Sequence, residues 1–170
     1  MKNIILSAVV MAFVMVSGNA QSKKTETKFS TEQIVANYLV LKNALAKDDS
    51  NGAAKAGKAL YATFKSINVK SISQKSKAEY LDIADDAKEH AEHIGANGSN
   101  IEHQREHFAL LSKDVNDLIK TFGSTKTLYQ DSCPMYDGGK GAIWISETKE
   151  IKNPYYGSKM LTCGSMKKQL

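Results

Sequence analysis

Proline, cysteine, tryptophan and arginine are all scarce: 170 residues hold two prolines, two cysteines, one tryptophan and one arginine. So little proline and cysteine, in a chain 42% hydrophobic and 24% charged, excludes collagen-like, disordered and disulfide-dense classes. The single arginine, Arg105, with lysines scattered rather than striped, argues against a nucleic-acid partner. A long hydrophobic run is missing too. The longest, Ile4 to Val16, falls short of the roughly 20 apolar residues that span a bilayer. What is there is about one domain's length.

The run from Ile4 follows a short basic start, Met1-Lys2-Asn3, and precedes Ser17-Gly18-Asn19-Ala20. Small residues at Gly18 and Ala20 complete the layout of a secretory signal peptide over residues 1–20, with Gln21 the expected mature N-terminus. Cleavage removes Lys2 and leaves 22 basic against 18 acidic residues, a mild +4. The expected product is periplasmic or secreted, with no membrane insertion after cleavage.

Residues 21–29 are polar and read as a flexible mature terminus. A helical period then runs over residues 30–123. Ser30-Thr31-Glu32-Gln33 reads as a capping box, with Gln33 reaching back. Ile34, Tyr38, Leu41 and Leu45 form the first apolar stripe. Ala53, Ala56, Leu60, Phe64 and Ile67 form the second, where the alanines and Gly57 point to close approach of a neighbour. Tyr80, Ile83, Ala84, Ala87, Ala91 and Ile94 form the third. Ile101, Phe108, Leu111, Val115, Leu118, Ile119 and Phe122 form the fourth, with Ser99 or Asn100 as its cap and Gly123 at the usual stop. The expected fold is mainly α: an up-down-up-down four-helix bundle.

The tail, residues 124–170, differs in character. Pro134, Gly138, Gly139, Gly141, Pro154 and Gly157 punctuate it, and Ala142–Ile145 and Lys159–Cys163 read as short strands. We expect a small β-hairpin-like module docked on the bundle, forming one structural domain with it.

Sulfur is confined to that module. Both cysteines and every methionine after the signal (Met135, Met160, Met166) lie there, and residues 30–123 contain no methionine. A core in need of flexible filler would carry methionine on its helices. Cys133-Pro134-Met135 and Met160-Leu161-Thr162-Cys163 each pair a thiolate with a thioether, soft donors that favour Cu(I), with Zn(II) as the alternative. The competing readings are a Cys133–Cys163 disulfide, optional for a core of this size, methionines that merely pack, and two inert thiols.

The histidines form a second cluster. His90 and His93 close the third helix; His103 and His107 open the fourth. A pair at i, i+4 faces one way and can chelate an ion. On a helical wheel His90 and His107 flank their apolar stripes while His93 points away, so His90, His103 and His107 make the candidate second metal site. The plainer reading is a polar end of the bundle, with Glu89, Glu92, Glu102 and Glu106 interleaved. No Gly-x-Ser-x-Gly, His-Glu-x-x-His, Cys-x-x-Cys or haem-attachment motif occurs. A protein that is not an enzyme is expected.

Several pieces together carry a resemblance: Tyr38-x-x-Leu41-Lys42-x-Ala44-Leu45; Gln104-Arg105 with Phe108 and Ser112; Cys133-Pro134-Met135; Gly141-Ala142-x-Trp144-x-Ser146; Asn153-Pro154-Tyr155-Tyr156-Gly157; and Met160-Leu161-x-Cys163-Gly164. The chain resembles a secreted bacterial domain-of-unknown-function family associated with periplasmic adaptors of heavy-metal (copper) efflux systems. The resemblance implies copper or related-metal handling in the envelope, with Cys133, Met135, Met160 and Cys163 as the ligands and an efflux adaptor as partner. Cys-Pro-Met also resembles short heavy-metal-binding segments in which a histidine commonly follows; Tyr136 stands in that place here. The other function class kept in view is a disulfide-stapled, non-catalytic interaction domain of the cell envelope. Asn153-Pro154 starts a turn, and Tyr155 and Tyr156 are expected to pack on Trp144 or to shield a metal.

Overall fold

A computed structural model describes residues 29–170; the proposed signal peptide and nearly all of the polar mature terminus lie outside the described residues. Four long helices follow one another: α1 (Glu32–Ala46), α2 (Ser50–Ser66), α3 (Gln74–Ala96) and α4 (Ile101–Phe122). Among the described residues, no helix is long and apolar enough to cross a membrane. The start signals are side chains that accept the orphan amides of the first turn. Asp49 takes the N–H of Gly52 (2.8 Å), Ser73 that of Ser76 (3.3 Å) and Asn100 that of His103 (3.1 Å). At Gly123, φ is +78°, which ends α4.

The four stripes form one core. Ile34, Tyr38, Leu41, Leu45, Leu60, Ile94, Phe108, Leu111, Val115 and Leu118 are all fully buried. Each large side chain there contributes roughly 1.5–3 kcal/mol by leaving water. Helix α2 packs on α1 and on α3, and α3 packs on α4. The α2–α3 approach is close because both helices carry glycine at the crossing. A Cβ on Gly57 would stand 2.9 Å from the backbone nitrogen of Gly95, and one on Gly95 would stand 2.8 Å from Lys58.

One cap differs from expectation. Thr31, not Ser30, is the N-cap of α1, and its hydroxyl donates to the carbonyl of Gly123 (2.7 Å), tying the start of α1 to the end of α4, while the Ser30 hydroxyl accepts the N–H of Glu32 (3.2 Å). The expected box put the cap at Ser30; the helix starts one residue later, and Ser30 reaches only the amide of Glu32.

The tail is a small antiparallel sheet of three strands, β1 (Tyr129–Cys133), β2 (Ala142–Ser146) and β3 (Ser165–Gln169), in the order β2-β1-β3. Cys133 pairs with Ala142 and Tyr129 with Ser146; on the other side Ser132 pairs with Ser165, with a bulge between Gln130 and Asp131. The expected hairpin is thereby corrected. Ala142–Ile145 is a strand, but Lys159–Cys163 is not. It leaves a tight helical turn at Gly157–Lys159 and curls back, with the N–H of Cys163 on the carbonyl of Met160 (3.0 Å). The true partner, β1, escapes apolar patterning because its two buried positions are Asp131 and Cys133.

Buried polar side chains dock this sheet on the helices. The Arg105 guanidinium, on α4, donates to the carbonyls of Pro154 (2.9 Å) and Leu45 (3.1 Å) and pairs with Asp48 (2.6 Å) and Glu102 (3.2 Å). Tyr38 accepts the N–H of Ile145 on β2 (3.1 Å) and hydrogen-bonds Ser112 (2.8 Å). Lys42, also buried, pairs with Glu147 (2.8 Å). Gly157, at φ +53°, seals the junction: a Cβ there would collide with Asp48 and Arg105. The motif residues Tyr38, Lys42, Arg105 and Ser112 are thus the clamp between helices and sheet.

Candidate functional site

The two cysteines reach each other from opposite ends of the tail. Cys133 closes β1 and is fully buried; Cys163 lies on the turn before β3 and is half-buried. Both are free thiols, with sulfurs 3.6 Å apart. Met135, two residues beyond Cys133, is 54% exposed, and its sulfur accepts from the Cys163 thiol at 3.8 Å. Three sulfurs therefore meet, with Cys133 at the floor and Met135 at the solvent edge. Of the four sulfur residues singled out from sequence, Met160 is the one that adds no sulfur contact of hydrogen-bonding geometry; its backbone only closes the turn to Cys163.

The Asn153–Gly157 motif holds this arrangement in place. Asn153 is fully buried. Its amide donates to the carbonyl of Cys163 (2.7 Å), and its side-chain oxygen accepts the N–H groups of Tyr155 (2.8 Å) and Tyr156 (3.3 Å). The Tyr156 hydroxyl donates to the carbonyl of Met135 (3.1 Å). Tyr155 sits edge-on to Trp144, with ring centres 6.0 Å apart, and its hydroxyl donates to the carbonyl of Ile143. One short motif therefore fixes the backbone behind Cys163 and Met135. The Cys133 thiol beside it, together with some loss of water, raises the Cys163 thiol above its usual range. A metal ion must displace that proton.

The second cluster sits where the end of α3 meets the start of α4. The Nδ1 atoms of His90 and His107 are 3.2 Å apart. His93 stacks on His107 (ring centres 4.3 Å, interplanar angle 12°), and His103 meets His107 edge-on at 4.6 Å. One ring nitrogen from each of His93, His103 and His107 lies within 4.8 Å of the other two. The wheel-based exclusion of His93 is therefore corrected. A wheel shows which residues avoid the helix's own core; it is silent on the flank that α4 covers. The available signal was the i, i+3 spacing of His90 and His93 beside a four-residue connection. Loss of water, then the neighbouring histidines, hold the His107 imidazole down to about 4, and burial lowers His90 as well.

Asp114, on α4, was not anticipated. Its carboxylate stands 4.0 Å from His90 Nε2, and that oxygen is buried with no hydrogen-bond partner among the described residues. Burial, with Asp86 and Asp117 nearby, pushes it up to about 7.

A family model described as a protein of unknown function (DUF3347) matches residues 34–127, which includes all four histidines and stops short of both cysteines. No curated protein and no solved structure matches the chain. The match runs from Ile34 in α1 to Thr127 just before β1, over more than half of the chain, and the protein belongs to that family of unknown function.

Proposed function

We propose that this is a soft-metal-binding protein of the bacterial envelope that holds Cu(I) at Cys133, Cys163 and Met135 and buffers copper or delivers it to a periplasmic efflux adaptor. The observation that carries the reading is the row of three sulfurs, with Cys163 between Cys133 and Met135. Two ligands each about 2.3 Å from one ion stand roughly 3.7–4.0 Å apart; the sulfur separations are 3.6 and 3.8 Å. Two thiolates and a thioether are a soft set that favours Cu(I), with Zn(II) the alternative if nitrogen or oxygen joins. Met160, held next to Cys163, is a fourth donor only if its side chain turns inward. The reading takes the four helices as an up-down-up-down bundle, supported by their sequential packing and short connections. It takes export from the basic and apolar N-terminal segment.

A thiol count on native, freshly exported protein, followed by Cu(I) titration, tests the proposal. The expected result is two free thiols and one Cu(I) per chain. A quantitative disulfide, with no Cu(I) uptake after reduction, would overturn it in favour of the stapled interaction domain.

A further inference from the structure

We infer that His93, His103 and His107 form a second metal site, selective for a divalent ion of borderline softness, with Zn(II) the ion that three imidazoles and an open fourth position suit. The three rings already present nitrogens within 4.8 Å of one another. Three nitrogens bound at 2.0–2.1 Å to a tetrahedral ion stand about 3.3 Å apart. The rings of His93 and His107 are stacked, so binding must fan them apart by side-chain rotation. They project from two regular helices, which supply a fixed base for that movement. The donor set is nitrogen alone, and imidazole suits Zn(II) where thiolate and thioether suit Cu(I).

The residues behind the triad fit the inference independently. A metal-bound histidine keeps its orientation by donating its other ring N–H to an acceptor. His107 Nδ1 faces His90 Nδ1 at 3.2 Å. If His107 donates from Nδ1, its Nε2 carries the free lone pair for the metal. His90, accepting at Nδ1, must then hold its own proton on Nε2, the atom that faces Asp114 at 4.0 Å. The unpartnered buried oxygen of Asp114 is the acceptor that proton lacks. The chain metal–His107–His90–Asp114 thus gives each polar atom a role, and contraction of the last step on loading would satisfy the orphaned oxygen.

This site rests on none of the sulfur chemistry, and the test separates the two. The full chain carrying Cys133→Ala and Cys163→Ala is titrated with Zn(II) by calorimetry near neutral pH. One equivalent of Zn(II) is expected. Substituting His93, His103 and His107 together with Gln should abolish the uptake. Asp114→Asn should weaken it by roughly 10- to 100-fold while leaving the thermal midpoint no lower, which separates positioning from structural damage. No Zn(II) uptake by the folded thiol-free chain, or uptake indifferent to the three His→Gln changes, overturns the inference. If removing the cysteines unfolds the protein, imidazole nitrogen resonances of the wild-type chain decide. His107 Nε2 must move on addition of one equivalent of Zn(II), and an unmoved triad rejects the site.

Discussion

The sulfur corner and the imidazole corner gather their ligands by opposite means. Cys133, Met135 and Cys163 come from a strand end and two turns, and no local repeat brings them together. They meet because Asn153 and Tyr156 fix the chain behind them and because Arg105 and Tyr38 clamp the sheet to the helices. The histidines come from two unbroken helices, where i, i+3 and i, i+4 spacing places neighbours on one flank. Only the α3–α4 packing is added. A site made of turns depends on how the tail docks; a site made of helix flanks depends on one helix pair.

The strongest way to split the two is Arg105→Ala. Arg105 is buried and holds two carbonyls and two carboxylates across the junction. Breaking such a set from one side costs about 3 kcal/mol or more. Chemical denaturation should show that loss, with a fall in Cu(I) uptake and imidazole resonances that barely move. Equal damage at both corners would mean that the tail and the helix pair are one cooperative unit. The converse is Gly57→Ala. A methyl group at 2.9 Å from Gly95 and from the Ile94 side chain must push α2 and α3 apart, at a cost of about 1–3 kcal/mol. Here the imidazole corner should suffer more, measured as weaker Zn(II) binding.

A smaller effect is a pair of opposed pH slopes within the imidazole corner. Asp114 titrates at about 7 when folded against an ordinary 3.8. The native chain then holds a proton that the unfolded chain has lost, so this group makes stability fall as pH rises from about 4 to 7. His107 titrates at about 4 when folded against 6.5, so its contribution makes stability rise from about pH 4 to 6.5. Melting curves across that range should steepen upward in Asp114→Asn, which also gains on the order of 1 kcal/mol at pH 8. They should tilt downward in His107→Gln. Parallel curves for both variants would show that neither group's protonation differs between the folded and unfolded states.

The smallest expected effect on stability is the most specific for the sulfur corner. Met135 is exposed and touches Cys163 through its sulfur. Met135→Leu nearly conserves volume and should change stability by less than about 1 kcal/mol, yet weaken Cu(I) binding. Met160→Leu should do neither. Equal Cu(I) affinities in both variants would reduce the site to the two thiols.

Much of the helical part was legible beforehand because helix faces repeat. The four stripes are the observed core, Asn100 and Gly123 bound α4 as anticipated, and Gly57 lies at a close helix crossing. The capping box at Ser30–Gln33 is not formed because the helix begins one residue later, with Thr31 at the cap position and Ser30 accepting the N–H of Glu32. In the tail, β1 was invisible because one of its two inward positions is the charged Asp131, which leaves Cys133 alone and no alternation to read. Lys159–Cys163 looked like a strand because Met160 and Leu161 are apolar and Gly164 follows, while the Asn153 clasp that curls it lies ten residues upstream of Cys163.

By itself the sequence determined which faces are apolar, where helices start and stop, and which ligand types are present, since these depend on neighbours within one or two turns. Only the tertiary structure decided which ligands meet. The gathering of Cys133 with Cys163 and Met135, the exclusion of Met160 from their sulfur contacts, and the turning of His93 toward His107 all cross element boundaries. Contacts of that kind are set by the docking of the sheet through Arg105 and by the flank that one helix offers another; spacing along the chain groups the histidines on each helix but does not say which of them face across.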